Sequence, residues 1–285
     1  MTEELRKITG QLASDIITQQ RRTYLVAGTP KLGKTTFALS GVREHEFAIV
    51  VSCDLGEVTL PPWLDRRQVL ILPYHALTRE MEGDGNSKPV KDVFLKLTGD
   101  LFEIYKSVTE GRPLNLTEGS FPVPQWVVLD GMSRLNNMLI DGQLAMNNMR
   151  DPGELDNKAF KFWGKRLRNT LTVVEQFASL PVNVGMTSWV EQTRDSTGVF
   201  TGVWYPDIGG KMDLLTAGTV SAAMLVNSRQ GKYYVRVQPD GQYPWLGVRN
   251  RFGLPAEIDV TIGASTTRPP AGQTPWEKVF GQWVK

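Results

Sequence analysis

Eight residues constrain this chain more than any others: Gly28-Thr29-Pro30-Lys31-Leu32-Gly33-Lys34-Thr35, which fill the pattern G-x-x-x-x-G-K-[ST] completely. Before them stands a short apolar run, Tyr24-Leu25-Val26-Ala27, and after them a helix is expected to begin and to stop at Gly41. Strand, glycine-rich turn and helix are the context that gives the pattern chemical meaning. Glycines let the backbone wrap an anion with its N–H groups pointing inward, and the helix start adds partial positive charge. Lys34 then supplies a point charge to β- and γ-phosphates, and the Thr35 hydroxyl a ligand to Mg²⁺. ATP with Mg²⁺ is the expected cofactor, contacted by the whole loop and by Thr36 just beyond it. Lys31 has two readings, a γ-phosphate contact or an exposed loop lysine.

A metal held this way needs an acid. Asp130 closes the apolar strand Trp126-Val127-Val128-Leu129, where a Walker-B aspartate stands, and would hold Mg²⁺ mainly through water. Its plain alternative is a cap on the following turn. Gly131 comes next, where many AAA+ enzymes and packaging motors place a catalytic glutamate. A hydrolase without that glutamate takes its water-orienting acid from elsewhere. Asp54, just past the second strand, and Glu57 are the candidates, and each reads equally as a solvated loop acid. Thr187 and Ser188 end the strand that follows the Asp130 strand. They are either γ-phosphate sensors or ordinary strand-end hydroxyls.

Apolar runs at 47–51, 69–72, 126–129 and 182–189 alternate with helical stripes at 90–108 and 160–177. This predicts an α/β fold, a mostly parallel central sheet with helices on both faces. Residues 82–88 read as a turn-rich mobile surface loop. Residues 219–226 and 232–238 flank Ser228-Arg229-Gln230-Gly231, a C-terminal β-hairpin signal. Leu5, Ile8, Leu12 and Ile16 fall at helical spacing, so residues 1–21 form a separate N-terminal helix that covers the core or docks on another subunit. Residues 22–262 make the main domain. Residues 263–285 comprise a Thr/Pro/Gly-rich linker and an aromatic tail with Trp276, Phe280 and Trp283.

The net charge of +2 provides no global basic field, so a nucleic-acid partner must be met by a local patch. Residues 194–211 offer one, with Arg194, Phe200, Trp204, Tyr205 and Lys211 in a loop after the 182–189 strand. Rings that stack on bases beside cations that meet phosphates suit single-stranded DNA. Lys158, Lys161, Lys165 and Arg168 share one helix face, read as solvated. The single cysteine, Cys53, excludes an internal disulfide and fits a reducing compartment. No apolar run reaches membrane-spanning length and no signal peptide is evident, so a cytoplasm is expected, that of a host if the chain is phage-encoded, with no membrane partner.

With these features in place the chain resembles the RecA-like P-loop ATPases of phages, especially the Sak-type single-strand annealing and recombination ATPases. The resemblance spans about residues 23–260. It rests on Lys34-Thr35-Thr36-Phe37-Ala38-Leu39, Leu129-Asp130, Pro206-Asp207-Ile208-Gly209-Gly210-Lys211, Gln238-Pro239-Asp240 and Arg249-Asn250-Arg251-Phe252-Gly253-Leu254-Pro255. It implies a RecA-like fold, ATP hydrolysis, and a homo-oligomer, ring or filament, acting on single-stranded DNA in recombination or replication. It also implies that Arg249 and Arg251 reach the neighbouring subunit's γ-phosphate, with arginine where the family has lysine in a Lys-x-Arg pair. Two surface arginines on a turn are the plain alternative. Competing functions are a packaging or translocation motor, a small-molecule kinase, and a nucleotide-dependent assembly factor that barely hydrolyses.

Overall fold

Short strands that are apolar on both faces demand a sheet covered on both sides. The computed structural model describes residues 21–54, 58–77, 79–81, 87–89, 93–147, 149, 159–209, 212–248, 254–263 and 265–281. Residues 1–20 of the helix read over 1–21, and the roles read for Glu57, Lys158, Lys211, Arg249, Arg251 and Trp283, lie outside the described residues.

The strands are β1 (Thr23–Ala27), β2 (Ala48–Ser52), β3 (Val69–Pro73), β4 (Arg79–Met81), β5 (Ser87–Pro89), β6 (Leu114–Leu116), β7 (Gly119–Phe121) and β8 (Trp126–Asp130). They continue as β9 (Asn183–Ser188), β10 (Val190–Arg194), β11 (Phe200–Pro206), β12 (Ala222–Arg229), β13 (Lys232–Arg236), β14 (Gly247–Val248) and β15 (Glu257–Asp259). The helices are α1 (Lys34–Leu39), α2 (Val93–Glu110), α3 (Met132–Met146), α4 (Ala159–Ser179), α5 (Met212–Thr219) and α6 (Pro275–Phe280).

The chain is α/β, built on one large, mostly parallel sheet. Its order is β15-β13-β12-β1-β9-β8-β2-β3, with β14 added beside β12. All pairs from β12 through β1, β9, β8 and β2 to β3 are parallel. The pairs that β13, β14 and β15 make are antiparallel. Strand alternation divides the interior in two. Leu25 and Ala27 face one core with Leu97 and Leu101 of α2, Leu135 of α3, Phe177 of α4 and Met212 of α5. Tyr24 and Val26 face the other, with Phe37 of α1 and Phe280 of α6. Among the described residues no helix is long and apolar enough to cross a membrane.

β12 and β13 are joined by Gln230 and Gly231, with φ of 51° and 75°. Positive φ at both central positions matches the right-handed strand twist, and Arg229 pairs with Lys232. Residues 275–280, read as part of a tail, are a core helix. Thr274 and Glu277 form a capping box and Pro275 opens the first turn. Trp276 then meets Trp126 edge-on at 5.0 Å, and Phe280 lies 5.2 Å from Tyr24. Gly41 makes this possible, because a Cβ there would collide with both indoles.

Two segments read as loops contain strands, and residues 82–86 of the first lie outside the described residues. Ser87 and Lys88 belong to β5, which pairs with β4. Residues 190–206 form the β10–β11 hairpin, whose register shifts between Gln192 and Arg194. Alternating Thr, Gly and apolar residues read as irregular from the sequence, while the strand period of two was present. Helices α3 and α5 were not anticipated.

Candidate functional site

Parallel register decides which residues meet. Ala27 aligns with Ser188, Leu129 with Met186, and Asp130 with Ser52. The carboxyl ends of β1, β9, β8 and β2 therefore form one row, and the segments leaving them carry Gly28–Thr35, Thr187 and Ser188, Asp130, and Asp54. In open α/β sheets this is the edge where ligands bind.

The Gly28–Thr35 loop is held tightly at its base and exposed at its crown. Gly28 donates its N–H to the Ser188 carbonyl at 3.2 Å, and a Cβ on Gly28 would stand 2.6 Å from the Val226 carbonyl. Only glycine fits between β9 and β12 there. Thr29, Pro30 and Lys31 are exposed. Lys31 adopts φ 65° and Gly33 φ 72°, a curled backbone that costs a non-glycine residue about 1–2 kcal/mol. Lys34 is buried, and its Nζ donates to the Gly28 and Thr29 carbonyls at 3.1 and 2.8 Å. Burial pulls its ammonium below the usual lysine range, and Asp54 and Asp130 pull it back up.

Asp130, also buried, is the hub. Thr35 and Thr187 each donate a hydroxyl to its Oδ1 at 2.7 Å. Thr187 in turn accepts from the Gly131 N–H at 2.9 Å. Thr187 is thus the strand-end hydroxyl that reaches the acid. The Ser188 hydroxyl donates to the Trp189 carbonyl, 2.6 Å away.

Asp54 sits over Gly131. Gly131 has φ 98°, and a Cβ there would come within 2.8 Å of the Asp54 carboxyl. The space a side chain after Asp130 would need is filled by Asp54. Burial and then the charge of Asp130 raise the Asp54 pKa, against Lys34 and Arg134, which lower it. Arg134, on the first turn of α3, was missed by the sequence reading. Its buried Nε has no hydrogen-bond partner among the described residues, and its charge acts on Asp54 and Cys53. Its place one helical turn beyond Gly131 was the available signal. Burial pushes the Cys53 thiol up, which leaves it protonated and inert.

The other expected residues lie farther out. Trp204 donates its N–H to the Gln242 carbonyl at 2.9 Å, and its own carbonyl accepts from the Trp245 indole at 2.8 Å. Tyr205 packs on the core. The Trp204 backbone and the Tyr205 ring anchor the β10–β11 hairpin, whereas Val199 and Phe200 at its far end are exposed, with the Arg194 guanidinium 3.7 Å over the Phe200 ring. Between Val190 and Pro206 one cation, Arg194, faces two anions, Glu191 and Asp195. Lys161, Lys165 and Arg168 of α4 are exposed. Arg166 of the same helix turns inward, donating to Asn136 at 2.9 Å and to the Ile208 carbonyl at 3.2 Å. It lies where a Cβ of Gly209 would be, so the Asp207-Ile208-Gly209 corner is fastened to α3.

No protein-family model matches the chain, and no curated protein matches it. A cleft of about 750 Å³ lies beyond β2 and β3, lined by Ser52, Arg66 and His75 but not by Lys34, Thr35 or Asp130. Residues 59, 60 and 62 separate it from a second cleft of about 480 Å³ beside the Gly28–Thr35 loop.

Proposed function

We propose that the chain binds ATP with Mg²⁺ in its P-loop and hydrolyses it, as one subunit of a RecA-like homo-oligomer that works on single-stranded DNA. One observation carries the reading: the Thr35 hydroxyl and the buried Asp130 carboxylate are already paired at 2.7 Å, beside Lys34. Ligands of an octahedral Mg²⁺ with bonds of 2.0–2.1 Å stand about 3 Å apart, and both donors are hard oxygens, so the pair fits. Magnesium normally takes one or two protein ligands plus substrate phosphates and water. When bound, the ion neutralises charge on the phosphate oxygens.

The remaining work falls to side chains. Lys34 is held inside the loop by two carbonyls, where its ammonium can turn to phosphate oxygens without crossing water. Thr187 holds Asp130 in orientation by a hydroxyl fixed at both ends. Asp54 is the acid placed to orient the attacking water and take its proton. A raised pKa makes it a stronger base. The β10–β11 hairpin begins three residues after Thr187, with Ser188 and Trp189 between, so nucleotide state and hairpin position are linked through that short connection. In this reading Phe200 and Arg194 at its tip meet a base and a phosphate. By the family resemblance, Arg249 and Arg251 would complete a neighbour's site.

The test is ATP turnover with Mg²⁺ in the presence of single-stranded DNA, duplex DNA or no polymer, for the parent and for Lys34→Ala and Asp130→Asn. Turnover raised by single strands and lost in both variants supports the proposal. Equal rates in all three proteins would remove the active site, and indifference to every polymer would remove the DNA.

A further inference from the structure

The second cleft supports a step beyond the phosphates. Lys31, Gly33 and Thr36 form part of its wall, so it opens directly from the Gly28–Thr35 loop. Tyr233 of β13, Val260 and Ile262 also line it. Its volume is that of an ordinary small-molecule site. We propose that the base of the nucleoside triphosphate lies in this cleft against the Tyr233 ring, and is selected by aromatic area instead of by its hydrogen-bonding edge. This rests on the P-loop reading and adds the substrate class: purine nucleoside triphosphates with little choice between adenine and guanine.

Two independent observations carry it. The first is the lining chemistry. Among the described residues the cleft wall is mostly apolar, with no carboxylate and no amide side chain; its polar side chains are Lys31, Thr36, Thr59 and Tyr233, and the Thr36 hydroxyl is already committed to the Thr59 carbonyl at 3.0 Å. A site built to read a base edge rejects the wrong base strongly because its polar groups are then left unpaired, and an apolar slot lacks that penalty. The second is the setting of Tyr233. Its N–H donates to the Thr261 hydroxyl at 2.9 Å and its carbonyl accepts from the Val260 N–H at 2.9 Å. The backbone is thus pinned on both sides while the residue stays 38% exposed. A ring on a fixed backbone, uncovered beside a phosphate loop, is a stacking platform.

The experiment is equilibrium binding of Mg²⁺-tripolyphosphate, ATP, GTP and UTP to the parent, Tyr233→Ala, Tyr233→Phe and Lys34→Ala proteins. ATP and GTP should bind the parent within about threefold of each other, and more tightly than UTP or tripolyphosphate. Tyr233→Ala should weaken ATP and GTP roughly 5- to 150-fold, the range for losing one base–ring stack. It should leave tripolyphosphate binding unchanged, which also shows that the loop is folded, and Tyr233→Phe should behave as the parent. Unchanged ATP affinity in Tyr233→Ala, or a preference for ATP over GTP beyond tenfold, overturns the proposal. If neither nucleotide nor tripolyphosphate binds, or Lys34→Ala binds both as the parent does, the P-loop reading itself has failed.

Discussion

The floor around Asp130 and the β10–β11 hairpin are separated in sequence by Trp189 alone, between the end of β9 and the start of β10, yet they are held by opposite means. Every bond that fixes the floor is long-range: Thr35 to Asp130 spans 95 residues, Thr187 to Asp130 57, and Gly131 to Thr187 56. The hairpin beyond Trp204 is held by its own neighbours. Thr193 reaches Val203 across 10 residues, Arg194 reaches Gly198 across 4, and Thr197 reaches Asp195 across 2. A floor built this way exists only when the whole sheet does, whereas the hairpin can shift as a unit without loosening the sheet. Precision and mobility thus sit side by side.

The sharpest test of the contrast is chemical. Lys34→Ala should lower ATP turnover about 10²–10³-fold, the usual scale for removing one preorganised charge donor, read in a steady-state assay. Phe200→Ala should leave that basal turnover alone and weaken single-stranded DNA binding roughly 5- to 150-fold in a salt-controlled titration. Its melting temperature should stay within about 2 °C of the parent, since Phe200 is 53% exposed. A large loss of stability in Phe200→Ala would mean that the hairpin is as integral as the floor.

A matched pair of threonines sharpens the comparison further. Thr187→Val strands the buried Gly131 N–H and removes a donor to Asp130, so denaturant unfolding should show a loss of about 1–3 kcal/mol. Thr193→Val, on the exposed hairpin, should cost less than about 0.5 kcal/mol. Similar losses at the two positions would erase the distinction.

Legibility in the sequence followed the same division. Strands β1, β2 and β8 are nearly continuous apolar runs, as parallel strands buried on both faces must be, so this part of the sheet and its loop were readable. Helix α3 was not, because Asn136, Asn137 and Gly142 dilute its helix preference and its stability comes from burying Met132, Leu135 and Leu139. Asp54 was readable as a candidate. Why it lies over Gly131 was not, because that depends on β2 and β8 being neighbours. Arg134 was missed for the same reason. That the Tyr205 ring packs on the core was not readable, because composition cannot distinguish a ring that faces solvent from one that is covered.

A further test concerns Asp213, on the first turn of α5 near the hairpin's exit. Burial pushes its pKa up to about 6, with Asp207 adding to the rise and the Ile208 and Gly209 N–H groups opposing it. The folded chain therefore keeps a proton that the unfolded chain releases near pH 4. The stabilisation is complete below that range and is lost as pH rises through 6. Asp213→Asn should raise the melting temperature by a few degrees at pH 8 and have no such effect at pH 4. A gain that is the same at both pH values would show that the carboxyl does not titrate this way.

Helix α6 has a consequence for synthesis. The Trp276 N–H closes on the Ser40 hydroxyl across 236 residues. At roughly 5–20 residues per second, about 12–50 seconds pass between the appearance of one partner and the other. Through that interval Tyr24, Phe37 and Trp126 have no lid, and the growing chain presents a sticky apolar sheet face. A nascent-chain holdase would be needed most in that window, and a ribosome pause just before Thr274 would lengthen it.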